Sequence, residues 1–257
     1  FDIVVRNIAL SEADIRQPVD AVVDELDGMM PNYFGQQRFG SRRSVTHEVG
    51  RKMLRGEFEE AVWTYIAKPS DEEHEQIRKV REELWETREV EKAAEKFPEQ
   101  YRYEKILLYH LAKNDDDYVG ALKRLPEGLQ KLFVHAYQSY VFNQALSDLV
   151  IDGFDDADAE LPLVGYKTAL RDDRGANRIA ELLEEDGIVQ DDFKLPEFPH
   201  LRSEGDYRQC FVPFQEFSLD EVGDDDLNMN AKAATLSFEL AKGSYATVFL
   251  RELMKDG

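Results

Sequence analysis

Apolar positions recur along the 257-residue chain with two periods, and the order in which those periods appear sets the expected fold. Ile3, Val4, Val5 and Ile8 form a β-branched run that predicts a strand over residues 1–8. Pro18 opens a predicted helix in which Val19, Val22, Val23 and Leu26 repeat at helical spacing, ending near Gly28. The stretch 31–40 reads as a loop with two glycines and three aromatic rings, followed by helical patterning at Val45, Val49 and Met53. After Gly56, Phe58, Ala61, Val62, Tyr65 and Ile66 share one helix face until Pro69. Ser70 and Glu73 have capping-box spacing ahead of a charged helix expected to run to Phe97, with a thin stripe of Ile77, Val80, Leu84 and Trp85. A further helical stretch, 101–111, leads to the acidic turn 114–117. The longest periodic run, from Leu129 through Phe133, Ala136, Tyr137 and Tyr140 to Val141, predicts a core helix that ends before Gly153. A short helix carries Ile179, Leu182 and Leu183 up to Gly187, and 193–213 is rich in Pro and aromatics without a period. Residues 235–240 alternate polar and apolar strictly, as an amphipathic strand does; Gly243 then breaks the pattern and Ser244 can cap a last helix with Tyr245, Val248, Phe249 and Leu253 on one face.

Strands at both ends and helices in the middle predict an α+β fold, a mixed or antiparallel sheet domain interrupted by a mostly helical insertion. The expected boundaries give a sheet domain of 1–55 and 214–257 and an inserted domain of 56–213. No apolar run approaches the roughly 18 residues that span a bilayer, and the first residues lack the basic region of a signal peptide, so the expectation is a soluble, cytoplasmic protein. The chain starts at Phe1, inside a predicted strand, and reads as part of a longer one.

Composition changes this picture in two ways. Hydrophobic residues at 42% and aromatics at 11% supply a core and exclude a disordered acidic tail, although 53 acidic against 32 basic side chains leave a net charge of −21. That charge argues against a nucleic-acid partner, except that Arg38, Arg42, Arg43, Arg51, Lys52 and Arg55 face a single acidic residue, Glu48, within 38–55. A solvated basic helix face explains such a cluster as simply as phosphate binding does. One cysteine, Cys210, and five scattered histidines provide neither a disulfide nor a metal set. No Walker loop, dinucleotide fingerprint, Gly-x-Ser-x-Gly or His-Glu-x-x-His occurs, and with so many carboxylates an Asp or Glu pair carries no weight.

The segment Pro31-Asn32-Tyr33-Phe34-Gly35-Gln36-Gln37-Arg38-Phe39-Gly40 combines glycines that allow close approach, amides that read base edges, rings that stack and a guanidinium for phosphate. An aromatic turn plugging a core edge is the plainer alternative. Asn32-Tyr33-Phe34-Gly35, one residue, then Gln37-Arg38-Phe39-Gly40 resembles the signature loop of the TruD family of tRNA pseudouridine synthases. The helix segment Gln138-Ser139-Tyr140-Val141-Phe142-Asn143 and the C-terminal Lys242-Gly243-Ser244-Tyr245-Ala246-Thr247-Val248 are similar to further family segments in family order, and Leu161 to Tyr166 resembles archaeal members. The acidic excess is similar to that of proteins from salt-loving archaea.

The resemblance implies isomerisation of a uridine, at position 13 of tRNA, to pseudouridine, with tRNA as the partner and without cofactor or metal; a monomer is the default expectation. It implies that Phe34 stacks on the flipped uracil, that Asn32 holds the catalytic aspartate, and that Gln37 and Arg38 shape the loop. Charge adds Arg42, Arg43, Arg51 and Lys52 as phosphate contacts. The family's catalytic aspartate lies in a Gly-x-Lys-Asp-x-x-Ala-x-Thr type motif upstream of the loop, and no such motif occurs among the 257 residues, so no catalytic residue is assigned and the aspartate is expected before Phe1. The alternative is a non-catalytic RNA-binding module or a truncated fragment of such an enzyme.

Overall fold

A computed structural model of the chain, which describes residues 1–171 and 173–254, has the expected α+β character. Its elements run β1 (Asp2–Ile8), α1 (Glu12–Leu26), β2 (Met29–Pro31), α2 (Thr46–Leu54), α3 (Phe58–Ala67), α4 (Glu75–Thr87), α5 (Val90–Lys96), α6 (Arg102–Leu111), α7 (Tyr118–Lys123) and α8 (Glu127–Ile151), then β3 (Glu160–Leu163), α9 (Arg174–Glu185), β4 (Asp206–Gln209), β5 (Phe211–Asp224), β6 (Lys232–Leu240) and α10 (Ala246–Leu253). Two compact units emerge, one of 1–35, 149–161 and 209–257 and one of 36–148 and 162–208. The expected divisions at 55/56 and 213/214 thus move to 35/36 and 208/209, and 149–161 returns to the sheet unit. Residues 36–55 join the helices because Val49 and Met53 of α2 are fully buried and Gly50 lies directly on the backbone of α8 at Phe133.

In the first unit the strands pair in the order β1-β6-β5-β2, with the β1–β6, β6–β5 and β5–β2 pairs antiparallel. Ala234, Leu236 and Phe238 of β6 alternate inward, and Phe249 of α10 is fully buried with Phe214 and Phe238 each 4.7 Å away between centroids. Each such buried side chain contributes about 1.5–3 kcal/mol. In β1, Ile3 and Val5 point inward, and the register shift between Val5 and Ile8, with Asn7 at φ 59°, turns Ile8 to the same side despite its odd spacing. Helix α1 starts earlier than Pro18: Ser11 accepts the Asp14 amide at 3.3 Å as N-cap, and Pro18 sits inside the helix at the cost of a main-chain bond.

In the second unit α8 carries buried residues on several sides, Phe133, Val134, Ala136, Tyr137, Val141, Phe142 and Ala145 among them, which makes it the central packing element there. The single charged helix expected up to Phe97 is two, because Arg88 adopts a left-handed conformation (φ 58°) that ends α4. Ser70 and Glu73 form a turn rather than a cap, and His74 accepts the Gln76 amide at 3.3 Å as the N-cap of α4. Two 3-10 turns, Gln190–Lys194 and Pro199–Leu201, overlap the aperiodic stretch 193–213, and Phe193 in the first and Phe198 at the start of the second are fully buried. No helix among the described residues is long and apolar enough to cross a membrane.

A Cβ added at Gly50 would lie 2.0 Å from the Phe133 carbonyl oxygen, a backbone atom that yields only if α2 and α8 separate. Gly50→Ala is therefore expected to cost about 2–3 kcal/mol and to lower the thermal midpoint, followed by circular dichroism, by roughly 5–10 °C.

Candidate nucleic-acid interface

Pro31 to Gly35 belong to the first unit and are fixed by β-structure and by the C-terminal segment. The Asn32 amide donates to the Cys210 carbonyl at 2.8 Å, extending the β2–β5 pairing, and its side-chain Nδ2 donates to the Gln209 carbonyl at 3.0 Å. Asn32 is buried, so the Nδ2 bond holds its side chain in one orientation while the main-chain bond fixes its backbone. Phe34 is 7% exposed and meets Tyr245 edge-on, with centroids 6.2 Å apart. A Cβ at Gly35 would come within 2.8 Å of the Tyr245 ring and 3.1 Å of Thr247 Oγ1, which is why this position takes no side chain. The loop and the Lys242–Val248 segment, far apart in sequence, are thus in direct contact. A base reaches the Phe34 ring only by its exposed rim or by displacing Tyr245.

Gln36 to Gly40 belong to the second unit. Gln36–Arg38 form one 3-10 turn whose Gln36 carbonyl accepts the amides of Phe39 (2.9 Å) and Gly40 (3.1 Å). Gly40 has φ 113°, and a Cβ there would lie 2.2 Å from the Arg43 carbonyl oxygen, so only glycine fits. Gln37 is exposed and Arg38 half-buried. Phe39 meets His47 edge-on at 5.5 Å, and His47 stacks on Tyr140 at 4.7 Å and 17°, which joins the loop to the helix segment beginning at Gln138. Gln138 itself donates to the Val164 carbonyl at 2.6 Å and to Ser203 Oγ at 2.8 Å. Burial holds the His47 pKa below its ordinary 6.5, a neutral ring that suits an aromatic stack. His47, Tyr140 and Tyr245 were not singled out by residue chemistry, although the two tyrosines fall within the resembling segments.

The basic stretch is less available to phosphate than its charge implies. Arg43 is the clearest correction: its guanidinium is buried and donates to the carbonyls of Thr64 (3.2 Å), Tyr65 (2.5 Å) and Lys68 (3.0 Å) at the C-terminus of α3. Beside it, Arg81 is 1% exposed and bonds Glu73 and Glu104 at 2.8 Å each. Burial, and then the charge of Arg81, lowers the Arg43 pKa to about 10, which leaves it cationic at neutral pH. Arg51 is paired with Asp186 at 2.8 Å, a carboxylate that also accepts from Tyr137 at 2.9 Å, and Arg55 pairs with Glu57 at 2.8 Å. Arg42 is exposed and Lys52 half-buried, and neither has an ion pair among the described residues.

The family model described as tRNA pseudouridine synthase D (TruD) matches residues 1–159 and 155–253. The chain is 35% identical over 263 residues to a Methanopyrus kandleri protein named "Probable tRNA pseudouridine synthase D", covering 96% of this chain and 63% of that protein. It is 33% identical over 308 residues to a Halobacterium salinarum protein of the same name, covering 99% and 67%. The crystal structure of the "Putative tRNA pseudouridine synthase D (TruD)" from Methanosarcina mazei superposes with a TM-score of 0.87 at 31% identity, over 99% of this chain and 68% of that one. The chain therefore spans about two thirds of the length of these relatives.

Removing Arg43 leaves three helix-end carbonyls without their donor and takes one of two cations from a buried network in which Arg81 alone then faces Glu73 and Glu104, so Arg43→Ala is expected to cost about 3–5 kcal/mol in denaturant unfolding, whereas Arg42→Ala stays within about 0.5 kcal/mol of wild type. For His47, NMR titration should find a midpoint below 6.5. Because the unfolded ring takes up its proton first, stability falls as the pH drops from 6.5 toward the folded midpoint, and His47→Phe should remove that acid-side loss.

Proposed function

We propose, since the chain belongs to the TruD (tRNA pseudouridine synthase D) family, that it acts in the conversion of a tRNA uridine, of the position 13 type, to pseudouridine. The observation that carries the reading is the convergence of the resembling segments on the signature loop within each unit, Phe34 and Gly35 against Tyr245 and Thr247 in one, Phe39 through His47 to Tyr140 in the other. In each unit, segments that are dispersed in sequence meet at the part of the loop that belongs to that unit.

In this reading the N1–C1′ bond of the uridine breaks, the uracil turns, and C5 bonds to C1′ while a proton leaves C5 and one is taken up at N1. The change is an isomerisation and balances without co-substrate or metal. The target base leaves its stack, and Phe34 supplies an apolar edge for it, backed by Tyr245. Asn32, locked by its two bonds, presents a fixed amide beside that base and toward the aspartate on which the chemistry turns. Gln37 lies exposed on the loop to contact RNA, with Arg38 behind it, and the phosphate contacts fall to Arg42 and Lys52 rather than to Arg43. The protein would work as a cytoplasmic monomer.

The test is formation of pseudouridine in a tRNA transcript by a full-length protein carrying the Lys-Asp motif. Phe34→Ala should lower turnover by about 5- to 150-fold, the equivalent of roughly 1–3 kcal/mol of stacking; unchanged turnover removes the stacking role. The 257-residue chain alone should bind tRNA and form no pseudouridine, because the motif is absent from it. Absence of product with the full-length protein as well would leave only RNA binding.

A further inference from the structure

Both tryptophans of the chain, Trp63 and Trp85, flank one guanidinium. Arg88 Cζ lies 4.3 Å from the Trp63 ring centroid and 4.6 Å from that of Trp85. The left-handed turn that ends α4 at Arg88 is what carries the side chain to this place. The stack lines a cleft of about 380 Å³ in the helical unit, which Lys52 and Lys68 also line.

Two features distinguish the cleft from ordinary packing. Trp85 is 41% exposed, an indole left partly in water on a strongly acidic protein. Arg88 and Lys52 have no ion pair among the described residues, although the chain carries 53 carboxylates. Lys68, by contrast, is neutralised by Glu48 at 2.5 Å. The other carboxylates of the cleft are Glu59, which accepts from the Tyr118 hydroxyl at 3.2 Å, and Glu60. These repel phosphate and accept hydrogen bonds from the N–H groups of a base, so a phosphate in the cleft belongs with Lys52 and Arg88.

An open indole, a guanidinium fixed by stacking and a nearby ammonium form a set that recognises an aromatic ring bearing an anion, which on RNA is an unstacked nucleotide with its phosphate. We propose that the Trp63–Arg88–Trp85 cleft is a second RNA contact, separate from the signature loop, that takes one unstacked nucleotide of the bound RNA. This rests on the reading of the chain as tRNA-binding.

The experiment uses the full chain and two readouts, anisotropy of labelled tRNA for binding and intrinsic tryptophan fluorescence for the cleft, which alone holds tryptophan. Saturation with tRNA should quench the tryptophan emission with the same midpoint as the anisotropy change. Trp85→Leu and Arg88→Gln, both exposed positions with folding checked by circular dichroism, should weaken tRNA binding about fivefold or more, and Arg88→Gln should lower the salt slope of log K by roughly 0.7–0.9. If tRNA binds but the emission does not change and both variants bind as wild type, the cleft is not an RNA contact while tRNA binding stands. If labelled tRNA does not bind the wild-type chain, both readings fall together. Quenching by millimolar uridine monophosphate without quenching by tRNA would overturn the RNA assignment in favour of a free nucleotide.

Discussion

The helical unit depends on a charge network that has no solvent to relax into. Arg43 and Arg81, with Glu73 and Glu104, lie inside it, two cations with two anions, and the guanidinium donors left over from the carboxylates go to main-chain oxygens at the end of α3. A buried charge whose partner is missing costs far more than a matched pair gains, so each member is held in place by the penalty for its absence. The network ties α4 and α6 to the C-terminus of α3, and it ties the loop as well: Gly40 rests on the carbonyl of Arg43, so the place of the guanidinium fixes where the loop ends.

Part of this was legible in the residues and part was not. The order of strands and helices, the alternation of β6 and the periodicity of α8 were readable because each follows a single uninterrupted period. Strand β5 was not, since register shifts between Gln215 and Ser218 and between Leu219 and Glu221, with Glu216 at φ 50°, break the alternation over fourteen residues. The division of the charged helix was hidden for a related reason: nothing in the spacing marks Arg88, whose left-handed backbone ends α4. Arg43 was misread because an arginine in a basic run looks like surface, and only the approach of α3 shows that it closes a helix end. The loop itself was legible as a motif, but its partners His47 and Tyr140 were visible only through packing.

Charge and burial together narrow the surface available to an anion. A net charge of −21 sets a repulsive background, and the bases that lie near carboxylates are largely used, as Arg178 is by Asp148, Glu181 and Glu185. Among the described residues the bases without an ion pair include Arg42, Lys52 and Arg88, and of these Arg88 is held between two indole rings. High ionic strength weakens the background over distances beyond a few ångströms and leaves short contacts nearly intact. An acidic chain can in this way hold a polyanion through few contacts in concentrated salt, where a broadly basic surface would lose its advantage.

The contact of Gly35 with Tyr245 makes the two positions share one volume. A chain in which residue 35 gains even a methyl group must give up room at 245, by a smaller side chain or a turned ring, or else move Phe34. Sequence change at these two places is therefore coupled by steric exclusion, and a swap of the C-terminal segment between relatives that kept its own length but altered residue 245 would reshape the loop without touching a single residue of it.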